Sequence, residues 1–245
     1  SPKRVRRSLS QWSSEGGEGW PSWAFSNHDA PRAVSRWASP ENRKQAADLL
    51  MLLLLSLRGN AFIYQGEELG LPQAVVPFEH LKDPEAIANW PRTLGRDGAR
   101  TPLPWISGAP NSGFSGGEPW LPVDPAHDGL AVDVQEGDAQ SSLHVTRELV
   151  ALRKSLPALR LGELHFVEAP EGVLSFERRL EGQSVSCVFN IGQVTASFGP
   201  PVGNTAHIIA TQLGRVNRPV SLPAHIEPWT GYWAISGKRG GRGAD

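Results

Sequence analysis

The chain has 245 residues, 39% of them hydrophobic, enough for one large domain or a large domain and a small one. With 24 basic against 25 acidic side chains the net charge is −1, so the balance favours neither a nucleic-acid backbone nor an anionic membrane surface as partner. The single cysteine, Cys187, excludes an internal disulfide framework and a cysteine-rich metal site, and agrees with a reducing, cytoplasmic location.

Residues 3–12 read as a basic amphipathic helix with Val5, Leu9 and Trp12 on one face and Lys3, Arg4, Arg6 and Arg7 toward solvent. No apolar segment follows these basic residues, so a signal peptide is not expected. "SSEGGEGWP" is then a glycine-rich connector, and "WAFS", Trp23 to Ser26, is suited to a fully buried strand. Ser39 followed by Pro40 makes an N-cap and first helical residue, opening a helix that runs to Arg58 and stops at Gly59. Its apolar stretch, Leu49 to Leu57, is too short to cross a bilayer and reads as buried. "AFIYQ", Ala61 to Gln65, is a second buried strand.

Strand, helix and strand in this order make a βαβ unit with parallel strands. Both strands end in polar clusters: "NHD" (Asn27, His28, Asp29) after the first and "GEE" (Gly66 to Glu68) after the second. The carboxyl edge of a parallel sheet is where α/β proteins place their chemistry. From Leu69 to Asp138 the chain is rich in Pro, Gly and Trp, an excursion too long for an ordinary connector. Helical spacing returns over Ser142–Leu156, and beyond Leu161 short strands such as "GVLSFERRL" and "QSVSCVFNI" predict a small antiparallel sheet or sandwich. The last residues, 237–245, are low in apolar content and read as a disordered tail.

Two readings of "NHD" stand side by side. An asparagine/aspartate turn would satisfy its own backbone. An imidazole beside a carboxylate at a strand end would instead bind vicinal hydroxyls, and an ionised Asp would stabilise a developing cation. A metal site is disfavoured, because two adjacent ligands have no second His or Cys at ligand spacing. No serine triad, phosphate loop or dinucleotide fingerprint occurs, and no cofactor is expected. The 9 tryptophans tilt toward a ring-shaped ligand such as a sugar.

"FSNHDAPRAVSRW", "AFIYQGEELG", "GRDGARTPLPW", "NSGFSGGEPWLPV" and "LHVTRELVALRKSLPAL", in this order, resemble the oligosaccharide-cleaving α-glucosidases of the α-amylase superfamily, glycoside hydrolase family thirteen. The resemblance extends from about residue 9 to residue 165. It implies the last two strands and helices of a (β/α)8 barrel over residues 1–161, followed by a small β-domain over 162–236. It implies further that Asp29 is the transition-state-stabilising carboxylate and that His28 binds the hydroxyls of the glucose being cleaved. Arg32 would shape the pocket entrance, Arg100 would reach bound sugar, and Glu67 would be a structural hydrogen-bonding residue. The third motif departs from the commoner family form, with Leu103, Pro104, Trp105 and Ile106 where Met-Gln-Trp-Asp is usual. Trp90 and Trp105 read as packing anchors ahead of stacking platforms.

Retaining glycoside hydrolysis needs a nucleophile and a proton donor about 5 Å apart. The family takes both from earlier strands, and neither motif precedes residue 22. The expectation is therefore a C-terminal section, inactive alone, of an enzyme acting on maltose, isomaltose, sucrose or short oligosaccharides. The alternatives are a non-catalytic carbohydrate-binding scaffold, or a transglycosylase or isomerase using the same site. No metal, nucleic-acid or membrane partner is expected, and linkage preference and oligomeric state are not legible.

Overall fold

The computed structural model describes residues 1–12, 19–93, 95–199 and 206–236. Most of the glycine-rich connector and the whole of the tail at 237–245 lie outside the described residues. The chain divides into two units, one spanning Trp23–Leu54 and Ala61–Glu148, the other the described residues within Ser1–Ser22, Leu55–Asn60 and 149–236. The change from helix to sheet falls at Gly162, between α7 (Pro157–Leu161) and β3 (Glu163–Phe166).

The chain opens with α1 (Pro2–Ser10), on which Leu9 is buried while Trp12, beyond the helix end, is 48% exposed and does not share that face. Then come β1 (Ser22–Ala24), α2 (Ala33–Trp37), α3 (Arg43–Ser56) and β2 (Asn60–Phe62), and β1 pairs with β2 in a two-stranded sheet. Ser39 and Asn42 form a reciprocal capping box over a 3-10 turn at Pro40–Asn42 that leads into α3, so the N-cap signal acts one turn ahead of the α-helix proper. Residues 46–57 are buried without interruption, as expected of a helix that is apolar on all sides. Gly59 takes a φ of +115°, and a Cβ there would lie 2.2 Å from the Pro21 carbonyl oxygen, so only glycine fits where the chain turns into β2.

Both strands differ from the sequence expectation. Each has three residues, and in each the two ends are exposed and only the middle residue is half-buried, with Phe62 58% exposed. Among the described residues each has one strand neighbour, which leaves the second edge of each without a strand partner. Just beyond β1, Arg36 Nη2 donates to the Phe25 carbonyl and Ser26 Oγ accepts from Ala33 N.

The excursion is ordered, through α4 (Pro84–Asn89), α5 (Val132–Glu136) and several 3-10 turns. Two small apolar clusters hold it, one of Val76, Leu81, Ala86 and Leu121, the other centred on Leu69, Leu71 and Leu143. Gln135 ties the second cluster, its amide donating to Leu69 and Leu130 carbonyls at 2.9 and 3.0 Å and its oxygen accepting from Leu143 N at 3.0 Å. These bonds satisfy backbone groups that an irregular buried segment would otherwise leave unpaired.

α6 (Ser142–Ser155) enters the other unit at Leu149, and there Arg153 reaches carbonyls at and just beyond the end of α3. The guanidinium donates to Leu55, Leu57 and Gly59 oxygens at 2.6, 3.0 and 2.8 Å, and to Leu159 at 2.9 Å. Arg178, fully buried, donates to Ser56 O at 2.6 Å and Gly162 O at 2.8 Å. Orphan carbonyls and the negative end of a helix suit a cation.

The sheet contains β3, β4 (Val173–Leu180), β5 (Gln183–Asn190), β7 (His207–Thr211), β8 (Gly214–Val220) and β10 (Thr230–Ser236), in the order β3-β4-β5-β10-β7-β8 and antiparallel throughout. β6 (Ala196–Ser197) and β9 (His225–Ile226) make a separate short pair. Alternation along β4, β5 and β10 puts Val173, Val188, Tyr232 and Ala234 in one core cluster. It turns Phe176, Cys187, Phe189 and Trp233 to the opposite face, where all four are fully buried. Burial holds the Cys187 thiol far above its ordinary value and therefore protonated.

Candidate active site

The polar triplet begins one residue after Ser26, whose hydroxyl donates to Glu67 Oε1 at 2.6 Å and accepts from Ala33 N at 2.8 Å. Glu67 Oε2 accepts from Tyr64 N at 2.9 Å, so this carboxylate braces the ends of both polar clusters as a structural residue would. Burial raises the Glu67 carboxyl above its ordinary value, against the opposing hydrogen bonds from Ser26 and Tyr64.

Asn27 Oδ1 accepts from Asp29 N at 2.8 Å, and an isolated bridge joins Asn27 to Ala30. The asparagine turn is thus present, and it presents the next two side chains outward. His28 and Asp29 are 68% and 54% exposed, with His28 Nε2 3.3 Å from Asp29 Oδ2. Arg100 completes the group: its Nε donates to the His28 carbonyl at 2.8 Å and its Nη2 to Asp29 Oδ1 at 3.0 Å. The turn fixes the backbone and leaves one side of the carboxylate and the imidazole exposed.

Arg32 is elsewhere. It is 1% exposed, and its guanidinium donates to Gln65 O at 2.6 Å and Ala99 O at 3.4 Å while lying 5.4 Å from the Tyr64 ring centroid. Tyr64 Oη also donates to Ala99 O, at 2.9 Å. The expected entrance residue is therefore an internal brace: a side chain long enough to reach two loop carbonyls is drawn under the loops instead of over the mouth. Desolvation lowers the Arg32 pKa from its ordinary value, with the nearby Tyr64, Glu68 and Glu67 opposing.

Two further residues belong to the site. Arg96 Nη1 approaches Asp29 Oδ1 at 3.3 Å, and Arg96 in turn is gripped by Asp83, with Nη2–Oδ1 at 2.8 Å and Nε–Oδ2 at 3.0 Å. This fork holds the Asp83 carboxyl well below the ordinary aspartate range and the Arg96 guanidinium above its own. Arg96 and Arg100 flank a single 3-10 turn at Asp97–Ala99, which explains why both reach the same carboxylate. The Arg-x-x-x-Arg spacing in "GRDGAR" was the available signal for Arg96. Asp83 was hidden, since Asp-Pro reads simply as a helix N-cap, a role it also performs for α4. Trp90, 39% exposed, packs against Phe78 with centroids 5.6 Å apart, and Trp105 is 48% exposed.

A carboxylate held by two guanidiniums beside an imidazole, open on its remaining side, can accept hydroxyls and face a developing positive charge. The family pattern described as alpha amylase, catalytic domain, matches residues 2–162. The chain belongs to the α-amylase family. A probable alpha-glucosidase of Rhizobium meliloti (strain 1021) is 48% identical over 203 residues, 82% of this chain and 37% of that protein. The oligo-1,6-glucosidase of Parageobacillus thermoglucosidasius is 29% identical over 218 residues, 80% of this chain and 39% of that protein. Among solved structures, an alpha-glucosyl transfer enzyme superposes with a TM-score of 0.86 at 41% identity, over 96% of this chain and 44% of that one. The chain thus spans less than half the length of the relatives it matches.

Proposed function

We propose that this chain is the C-terminal part of a retaining α-glucosidase that releases terminal α-linked glucose from disaccharides or short oligosaccharides. Residues 1–161 would supply the last two strands and helices of a (β/α)8 barrel and residues 162–236 the appended β-domain. The observation that carries the reading is the Asp29 cluster: one carboxylate at a strand-end turn, clamped by Arg100 and Arg96 and paired with His28. Fixed donors orient Asp29, which is what stabilising an oxocarbenium-like ring requires of a carboxylate. His28 and Arg100 offer donors to the hydroxyls of the same ring, and Arg32 supports the loops from beneath.

The nucleophilic Asp and the acid Glu come from the portion of the full-length protein beyond this chain. Asp29 therefore stabilises charge without forming a bond to the anomeric carbon, and the chain alone has no turnover. The likeness to an alpha-glucosyl transfer enzyme favours a second reading, in which a sugar hydroxyl replaces water as acceptor at the same site; a sucrose-rearranging enzyme is one form of it. Incubating the full-length protein with maltose, isomaltose, sucrose and a nitrophenyl α-glucoside, followed by product analysis, tests both. Free glucose supports hydrolysis, and new disaccharides support transfer. Absence of both products with all four substrates refutes the assignment.

A further inference from the structure

Asp83 does not touch the exposed face of the site, yet nearly all its hydrogen-bonding capacity is spent on a residue that does. Its side chain is fully buried, at 0% exposed. Oδ1 accepts from Arg96 Nη2 at 2.8 Å and from Glu85 N at 3.2 Å. Oδ2 accepts from Arg96 Nε at 3.0 Å and from the Arg96 backbone N–H at 2.8 Å. Only Nη1 of that guanidinium is turned toward Asp29. Asp97 Oδ2 then accepts from Lys82 N and Asp83 N at 2.6 and 2.8 Å, so the turn carrying Arg96 also holds the segment carrying Asp83.

The charges explain why such a buried carboxylate matters. Asp29 faces two guanidiniums, Arg96 and Arg100. Alone, that trio would carry a net positive charge at the position where a cleaving sugar ring becomes positive. With Asp83 the four groups sum to zero. Its fork also commits two of the three outward-facing nitrogens of Arg96, leaving a single, longer contact to Asp29.

We propose that Asp83 is a positioning residue for glucosyl cleavage: it aims and neutralises Arg96 so that Asp29 is oriented while keeping its negative charge available to the sugar. The proposal rests on the reading of Asp29 as the cation-stabilising carboxylate. The depressed Asp83 and raised Arg96 pKa values agree with a fully ionised pair. A purely structural role as the N-cap of α4 is separable, because asparagine caps helices as well as aspartate does but carries no charge.

The test uses the full-length protein carrying Asp83→Asn, Arg96→Met and the two together. It reads kcat and KM on a nitrophenyl α-glucoside, and the Kd of a glucose-configured iminosugar, which is cationic at neutral pH. Asp83→Asn is expected to lower kcat about 10–100-fold with KM changed less than about threefold, the pattern of an interaction made in the transition state. The iminosugar should bind roughly tenfold more weakly, and the double variant should be no slower than Arg96→Met, because Asp83 acts through Arg96. Should Asp83→Asn fail to fold, Arg96→Lys probes the same link from the other side. It retains the charge without the two-pronged fork and is expected to show the same kcat-selective loss. A folded Asp83→Asn or Arg96→Lys variant with kcat within about twofold of wild type overturns the proposal, as do losses that multiply in the double variant. If the wild-type protein neither cleaves the glucoside nor binds the iminosugar, the glucosidase reading and this proposal fall together. If it does both and Asp83→Asn is indifferent, this proposal alone fails.

Discussion

Arg100 holds Asp29 and its neighbour at once: Nη2 donates to Asp29 Oδ1 at 3.0 Å while Nε donates to the His28 carbonyl at 2.8 Å. One planar guanidinium thus fixes both the carboxylate and the turn that carries it. Lysine supplies the charge at a single point and cannot span the two acceptors. In the full-length enzyme Arg100→Lys is expected to lower kcat/KM on a nitrophenyl α-glucoside by about tenfold or more, since misaimed catalytic groups cost rate steeply. A variant with wild-type kinetics would show that the clamp is incidental.

The turn between the two arginines leaves no room at its centre. A Cβ on Gly98 would lie 2.2 Å from the Ala74 carbonyl oxygen and 2.6 Å from Gln73 Nε2. Gly98 O also accepts from Ala74 N at 3.0 Å, so the two segments cannot separate without losing that bond. In the full-length protein Gly98→Ala is therefore expected to displace Arg96 and Arg100 together and lower kcat about 10–100-fold. Parallel measurement of melting temperature separates this local effect from general unfolding.

The end of α3 depends on a distant cation. Replacing Arg153 by Met leaves the carbonyls of Leu55, Leu57, Gly59 and Leu159 without their donor. Unsatisfied buried acceptors cost roughly 1–3 kcal/mol each, so a loss of about 3 kcal/mol or more is expected. It should appear as a melting temperature several degrees lower in a thermal scan of the full-length protein, with kcat of its surviving folded fraction little changed.

Sequence periodicity made α3 and α6 legible because a long apolar run and a 3.6-residue repeat each allow few alternatives. The antiparallel sheet was legible from the tight turns between β4 and β5, at Glu181 and Gly182. The lengths of β1 and β2 were not, because Phe25, Ser26, Tyr64 and Gln65 look like strand residues until their side-chain partners are known. Asp29, His28 and Arg100 could be named from motifs and are indeed adjacent. The depth of Arg32 and the tie from Asp83 through Arg96 depend on which loops meet over 13 to 67 residues of sequence separation, and no local pattern encodes that.

Glu67 gives the chain a pH signature. Burial raises both Glu67 and Glu68 above the ordinary glutamate value, so over that window the folded state holds protons that the unfolded state releases. Their contribution to stability is complete below the unfolded value, about pH 4, and is lost as pH rises through the higher folded values. Glu67→Gln cannot ionise and should flatten part of this decline in urea unfolding measured across pH. An unchanged slope would place the Glu67 carboxyl at its ordinary value.

Under the proposed function Asp29 faces the positive charge on a sugar ring undergoing cleavage. The most direct measurement compares wild-type and Asp29→Asn full-length enzyme on a nitrophenyl α-glucoside, following the released nitrophenol at saturating substrate. Replacing the charge with an amide of the same shape is predicted to lower kcat by at least about 10²–10³-fold while melting temperature stays within a few degrees. An Asp29→Asn enzyme that turns over at the wild-type rate would contradict the account.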